Sequence, residues 1–233
     1  MTLTLNQVKA KSALRLNGLH PVVLAAATAL IERCYMVGVP ILITQGLRTI
    51  AEQDALYAQG RTKPGAIVTN ARGGYSYHNY GLAVDFALLL PDGSSVSWDM
   101  NRDGDNDCTT DWLEVVREAK SLGFEWGGDW NTFKDYPHFQ LTFGLVLSAL
   151  RSGVKPSETQ TAITLAKIDR YMKEANEVQA TKAFVVVNGV KLKDNSLLIE
   201  GRTYVPLAAI GAAIGAAVDW DNESKTATIT TKE

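Results

Sequence analysis

Two short stretches hold the residue types that could work at a metal ion. The first runs Ser76-Tyr77-His78-Asn79-Tyr80-Gly81-Leu82-Ala83-Val84-Asp85, and the second is Asp135-Tyr136-Pro137-His138. Together they contain two of the chain's three histidines. Two neutral imidazoles and one carboxylate suit a divalent zinc ion, and three protein ligands leave a fourth position for water, as catalytic zinc sites do. His78, Asp85 and His138 are therefore the expected ligands. Asp135 lies three residues before His138, with Pro137 fixing the turn between them, so its carboxylate is expected to serve as general base. Arg48 is the candidate group for stabilising oxyanion charge or holding a substrate carboxylate. Ser76 is expected to support the metal shell or the substrate. Trp130 is a candidate for lining a substrate groove, with core packing as the alternative.

These residues need elements to bring them together. Pro21 to Val37 reads as a helix, with proline in its first turn, an apolar stripe, and Gly38 as the stop. Val39 to Thr44 is a short β-branched run that predicts a strand. Thr49 with Glu52 makes a capping box for a helix through Ala58. Arg61 to Tyr77, with Gly65, Gly73 and Gly74, predicts a loop over the site. Ala83 to Leu90 is almost continuously apolar, which predicts a buried central strand bearing Asp85. Val96 to Trp98 is expected to pair back on it. Asp111 with Glu114 predicts a capped helix to Ser121. Phe124 to Trp126 and His138 to Thr142 predict strands framing the Gly127-Gly128 loop.

The composition shifts after Arg151-Ser152-Gly153. Thr161 to Thr181 has a helical pattern, either a spacer or a helix packed on the first domain. Phe184 to Thr231 reads as a separate module. It has an Asn188-Gly189 hairpin signal, one strand region from Leu197 to Val205, a short helix from Pro206 to Gly215, and a final hairpin of Val218 to Trp220 with Thr226 to Thr230. The expected domains are 1–152, a connecting segment 153–182, and 183–233.

The 233 residues are 46% hydrophobic and 21% charged with a net charge of −2, so no basic field points to nucleic acid or anionic lipid. No run approaches the ~18–20 apolar residues of a spanning helix. The opening Met1-Thr2-Leu3-Thr4-Leu5 lacks a basic-then-apolar leader, so no Sec-type signal is expected. A monomer is expected. Cys34 and Cys108 are too few for a disulfide scaffold, and whether they pair stands open. The acidic stretch from Asp99 to Glu114 half-matches a calcium loop in two registers. Read from Asp99, Thr110 replaces the closing glutamate. Read from Asp103, the residues Asp103, Asp105, Asp107 and Glu114 are suitably spaced, but Cys108 replaces the glycine. Calcium binding and a solvated loop both stand open.

The S-x-H-x-x-G-x-A-x-D run and the later D-x-x-H resemble the D-Ala-D-Ala carboxypeptidase/VanY superfamily, peptidase family M15. Gln45-Gly46-Leu47-Arg48-Thr49, Glu52-Gln53, Leu56 to Thr62 and Gly127 to Lys134 resemble its L-alanyl-D-glutamate endopeptidases, found among phage endolysins and wall hydrolases. The resemblance covers roughly residues 1–150. It implies an α+β fold with a small mixed or antiparallel sheet flanked by helices, as in hedgehog and D,D-peptidase domains, followed by a second, smaller α+β domain. It also implies zinc, peptidoglycan as substrate, cleavage between L-Ala and D-Glu, and holin-dependent access to the wall. The alternatives are a D,D-carboxypeptidase or dipeptidase, whose members use Glu at the position of Asp135, and a non-catalytic zinc module. Gly201 to Leu207 and Val218-Asp219-Trp220 resemble the copper amine oxidase N-terminal-like domain, with wall binding as the expected role. No histidine or cysteine follows His138, which argues against a copper site there.

Overall fold

The computed structural model describes residues 3–105, 109–180, 182–192, 196–199, 202–221, 224 and 226–231. It divides into two units, Met1–Tyr171 and Met172–Glu233.

The first unit is built on one antiparallel sheet. Its strands are β1 (Ile41–Gln45), β2 (Ala83–Leu89), β3 (Val96–Ser97), β4 (Glu125–Trp126) and β5 (His138–Gln140), in the order β1-β2-β5-β4 with β3 also on β2. β2 is central, and its continuous apolar run is buried because both faces are covered. Phe86 of β2 stacks on Phe139 of β5 at 4.9 Å and meets Trp112 at 4.5 Å. Truncating one such aromatic to alanine would cost about 3–5 kcal/mol.

Helices flank this sheet. An N-terminal helix, α1 (Leu5–Leu16), opens on a Thr4/Gln7 capping box. Its apolar pattern is weak, and only Val8 and Ser12 are buried, which is why no helix was expected there. Ser12 earns its burial by accepting a hydrogen bond from the Ile43 N–H at 3.0 Å. α2 (Pro21–Met36) has Pro21 at its start and buries an Ala/Leu/Ile stripe, as the sequence predicts. α3 (Ile50–Ala58) carries the expected Thr49/Glu52 capping box. α4 (Asp111–Ser121) differs at its start. Thr110 is the N-cap without a side-chain bond, and the Asp111 carboxylate instead accepts from Gly104 N–H at 2.7 Å and pairs with Arg102 at 3.0 Å. After the short α5 (Leu147–Arg151), α6 (Glu158–Ala180) begins on the first unit. There Ile168 is buried, and the Tyr171 hydroxyl donates to Glu118 at 2.7 Å, the carboxylate that also takes Arg33 Nε at 2.9 Å.

In the second unit, β6 (Lys182–Ala183), β9 (Ser196–Ile199) and β10 (Arg202–Tyr204) form one antiparallel sheet in the order β10-β9-β6. The strand region expected across 197–205 consists of two paired strands, β9 and β10. β7 (Val186–Val187) and β8 (Val190–Lys191) make the Asn-Gly hairpin, with φ of 51° at Asn188 and 78° at Gly189 as a type I′ turn requires. α7 (Leu207–Ile214) packs its Gly211 against Val218 of β11 (Ala217–Asp221), which pairs with β12 (Thr226–Thr230). Helices alongside antiparallel sheets in both units give the expected α+β class. No described helix is long and apolar enough to cross a membrane.

Candidate metal centre

Each of the three expected ligands is delivered by a different local device. Ser76 caps a 3-10 turn, Tyr77–Tyr80, by accepting from His78 N–H at 3.4 Å, and this turn presents His78. Gly81 follows at φ 65°, where a Cβ would lie 2.7 Å from the Gly18 carbonyl oxygen, so only glycine lets the chain swing back into β2. Asp85 and His138 are direct partners across the antiparallel β2–β5 ladder, which brings residues distant in sequence side by side.

The functional atoms meet in a small triangle. His78 Nε2 lies 3.1 Å from Asp85 Oδ1 and 3.1 Å from His138 Nδ1, and the third side is 3.2 Å. Tetrahedral zinc with bonds of about 2.0 Å has ligand–ligand edges of about 3.3 Å, so the triangle is close to one face of that tetrahedron. The protons point the same way. His78 Nδ1 faces the Gly46 carbonyl at 2.8 Å and must donate to it, which leaves Nε2 as a lone pair. The Gln140 amide donates to Glu125 at 2.9 Å, so its oxygen faces His138 Nε2 at 3.0 Å and accepts that proton. His138 Nδ1 is then a second lone pair. Two lone pairs and a carboxylate oxygen then converge on one point, an arrangement that could hold a metal ion.

The same contacts also favour a charged His138 imidazole beside an ionised Asp85. Burial alone would raise the Asp85 carboxyl, but the His78 charge and hydrogen bonds from both imidazoles hold it well below the usual range. For His138, burial pulls downward and is outweighed by the hydrogen bond and charge of Asp85, so the imidazole is raised. Asp135 is half-buried, and burial followed by the Asp85 charge pushes its carboxyl up.

Asp135, Arg48, Ser76 and Trp130 line the same cleft of about 760 Å³ as the three ligands. Gly127 lets the Asp135 backbone close in, since a Cβ there would lie 2.3 Å from the Asp135 carbonyl oxygen. The Trp130 ring stands 5.1 Å from His138. Arg48 sets Nη2 3.6 Å from Asp85 Oδ2 and donates from Nη1 to Gln53 at 2.9 Å. Gln53, fully buried, also donates to the Ala71 carbonyl at 2.8 Å and so ties Arg48 to the loop along the cleft. Gln140, Glu125 and the Gly46 carbonyl were not picked out from the sequence. The signal for Gln140 was its place two residues after His138, on the same face of a strand. Within the acidic stretch, Asp103 and Asp105 group with Asp111, while Glu114 pairs with Arg117 at 3.6 Å. Asp107 and Cys108 lie outside the described residues, and Cys34 is buried.

A small antiparallel sheet joins a His/Asp/His triangle that could hold a metal ion to an open cleft, and the chain belongs to peptidase family M15. The family model described as D-alanyl-D-alanine carboxypeptidase matches residues 69–141, and the copper amine oxidase N-terminal domain model matches residues 138–233. The peptidoglycan L-alanyl-D-glutamate endopeptidase CwlK of Bacillus subtilis (strain 168) is 59% identical over 123 residues, 53% of this chain and 73% of that protein. The L-alanyl-D-glutamate peptidase of Listeria phage A118 is 29% identical over 200 residues, 78% of this chain and 65% of that protein. M15 peptidases are zinc-dependent in general.

Proposed function

We propose that this chain is a zinc endopeptidase that hydrolyses the L-alanyl–D-glutamyl bond of the peptidoglycan stem. The observation that carries the reading is the convergence of two imidazole lone pairs and one carboxylate oxygen beside a cleft that also holds Asp135. His78, Asp85 and His138 would hold the zinc. When bound, it supplies Lewis acidity to the scissile carbonyl and to water. Asp135 takes the proton of the attacking water and delivers it to the leaving amine, and its raised affinity for protons suits that exchange. Arg48, held by Gln53, faces the developing negative charge of the carbonyl oxygen. Ser76 fixes the turn that presents His78, and Trp130 braces His138.

The choice of bond rests on the two relatives, both named for L-alanyl-D-glutamate cleavage. The description of the matched family model favours a second reading, carboxypeptidase action on D-Ala termini. Digestion of purified sacculi with and without added zinc, followed by mass spectrometry of the products, separates them. New L-Ala carboxyl termini that depend on zinc support the endopeptidase, and released D-Ala without them would replace it.

In this reading residues 1–152 form the peptidase, 153–182 a connecting segment, and 183–233 a module that holds the enzyme on the wall. The protein would act as a monomer on the wall after holin-type release. We also propose that the acidic stretch takes calcium, with Asp103, Asp105, Asp107 and Glu114 as the donors their spacing suggests.

A further inference from the structure

We propose that Trp98 and Phe133 form a subsite for the amino-sugar ring to which the stem peptide is attached, so that the enzyme selects stems still joined to the glycan strand. The proposal rests on the endopeptidase reading and adds a specificity determinant to it.

The placement follows from strand register. β1 occupies one edge of β2. On the other edge, β5 pairs with Ala83 to Asp85 and β3 pairs with Leu88 and Leu89. Phe86 and Ala87 lie between those two pairings. Into this gap come the end of β3, which leads to Trp98, and the loop before β5, whose Pro137 carbonyl accepts from Phe86 N–H at 3.1 Å. Phe133 belongs to that loop. Ser97 is paired three residues from Asp85 along β2, about 10 Å at 3.3 Å per residue. Trp98 is one residue further toward the centre.

Both rings line the cleft, yet Trp98 is 52% and Phe133 54% exposed. Neither stacks on another aromatic or a cation among the described residues, unlike Tyr75, which sits under Arg151 at 4.0 Å. Phe133 is also held at φ 48°, a region bulky side chains rarely adopt. Two flat apolar faces are thus kept open to water along the cleft that holds the triangle.

The substrate's chemistry selects their occupant. On the leaving side of an L-Ala–D-Glu bond the stem is carboxylates, a diamino acid and methyl groups, with nothing broad and apolar. On the other side L-Ala is acylated by the lactyl ether of an N-acetylated sugar. The C–H face of that pyranose matches an aromatic ring, and Asn70 and Thr132 in the same cleft suit its hydroxyl and acetamido groups.

The test compares two substrates with the same stem, a disaccharide-bearing muropeptide and the free stem peptide, by kcat/KM for L-Ala–D-Glu cleavage. The zinc-loaded full chain is expected to prefer the first by about tenfold or more. Trp98→Ala, and separately Phe133→Asn (which tolerates the left-handed backbone), should each remove most of that preference while cutting the free peptide as the wild type does. Equal rates on both substrates, or variants that slow both alike, would overturn the subsite and leave the endopeptidase intact. Absence of L-Ala–D-Glu cleavage in either substrate would overturn both.

Discussion

His138 reaches the centre through Nδ1 because its other nitrogen is already engaged. Gln140 accepts from Nε2–H, and Glu125 holds the Gln140 amide in the required orientation while also accepting from Thr142 at 2.6 Å. Outer partners of this kind contribute to affinity as well as to geometry, and their removal typically costs 10- to 100-fold in metal binding. Gln140→Leu should therefore keep the fold and weaken zinc binding by about that factor, measured by competition with a chromophoric chelator. An unchanged affinity would show that the β2–β5 ladder alone orients the imidazole. The three residues that meet in the triangle were legible from residue type and spacing. Their supports were not, because glutamine and glutamate on short strands look like ordinary surface residues until the sheet closes over them.

At the scale of elements, α3 and α6 anchor segments outside the sheet. Gln53 and Asp54 of α3 hold the loop along the cleft, the latter by accepting from Gly73 N–H at 2.7 Å. The start of α6 is tied to the first unit by Ile168, by Tyr171 on Glu118, and by Gln160 donating to the Phe143 carbonyl at 2.6 Å. The periodicity of 161–181 predicted a helix and left open whether it packs on the first domain. Burial of Ile168 and the shared Glu118 carboxylate decide for packing, at least up to Tyr171. Losing one buried apolar side chain and a hydrogen bond to a charged group costs about 3–6 kcal/mol in sum. A chain ending at Arg151 should accordingly melt lower than one ending at Ala180, by on the order of 10 °C in thermal denaturation. Matching melting temperatures would return α6 to the role of a free spacer.

For the whole molecule, two units on one chain matter through effective concentration. If the second unit holds the wall, each catalytic encounter is followed by others nearby, without any added contact at the cleft. Ending the chain at Ala180 should then leave cleavage of soluble muropeptides unchanged while lowering retention in a wall pellet by about tenfold or more. Equal retention of the two chains would assign wall binding to the first unit.

What the sequence determined alone was the chemistry: which residues could hold a metal, which carboxylate could move a proton, where β2 and most helices lie, and that a second module follows. Those properties are local, fixed by residue type, hydrophobic period and capping pattern, so they can be read without coordinates. Tertiary structure decided the rest: the 3.1 Å meeting of His78 and His138 across 60 positions, the Gly46 and Gln140 oxygens set against their outer nitrogens, and the exposure of Trp98 and Phe133. It also divided 197–205 into two strands and placed Asp111 with Asp103 and Asp105. Such features arise only when strand register and burial bring distant segments together, and no single stretch of the chain encodes them.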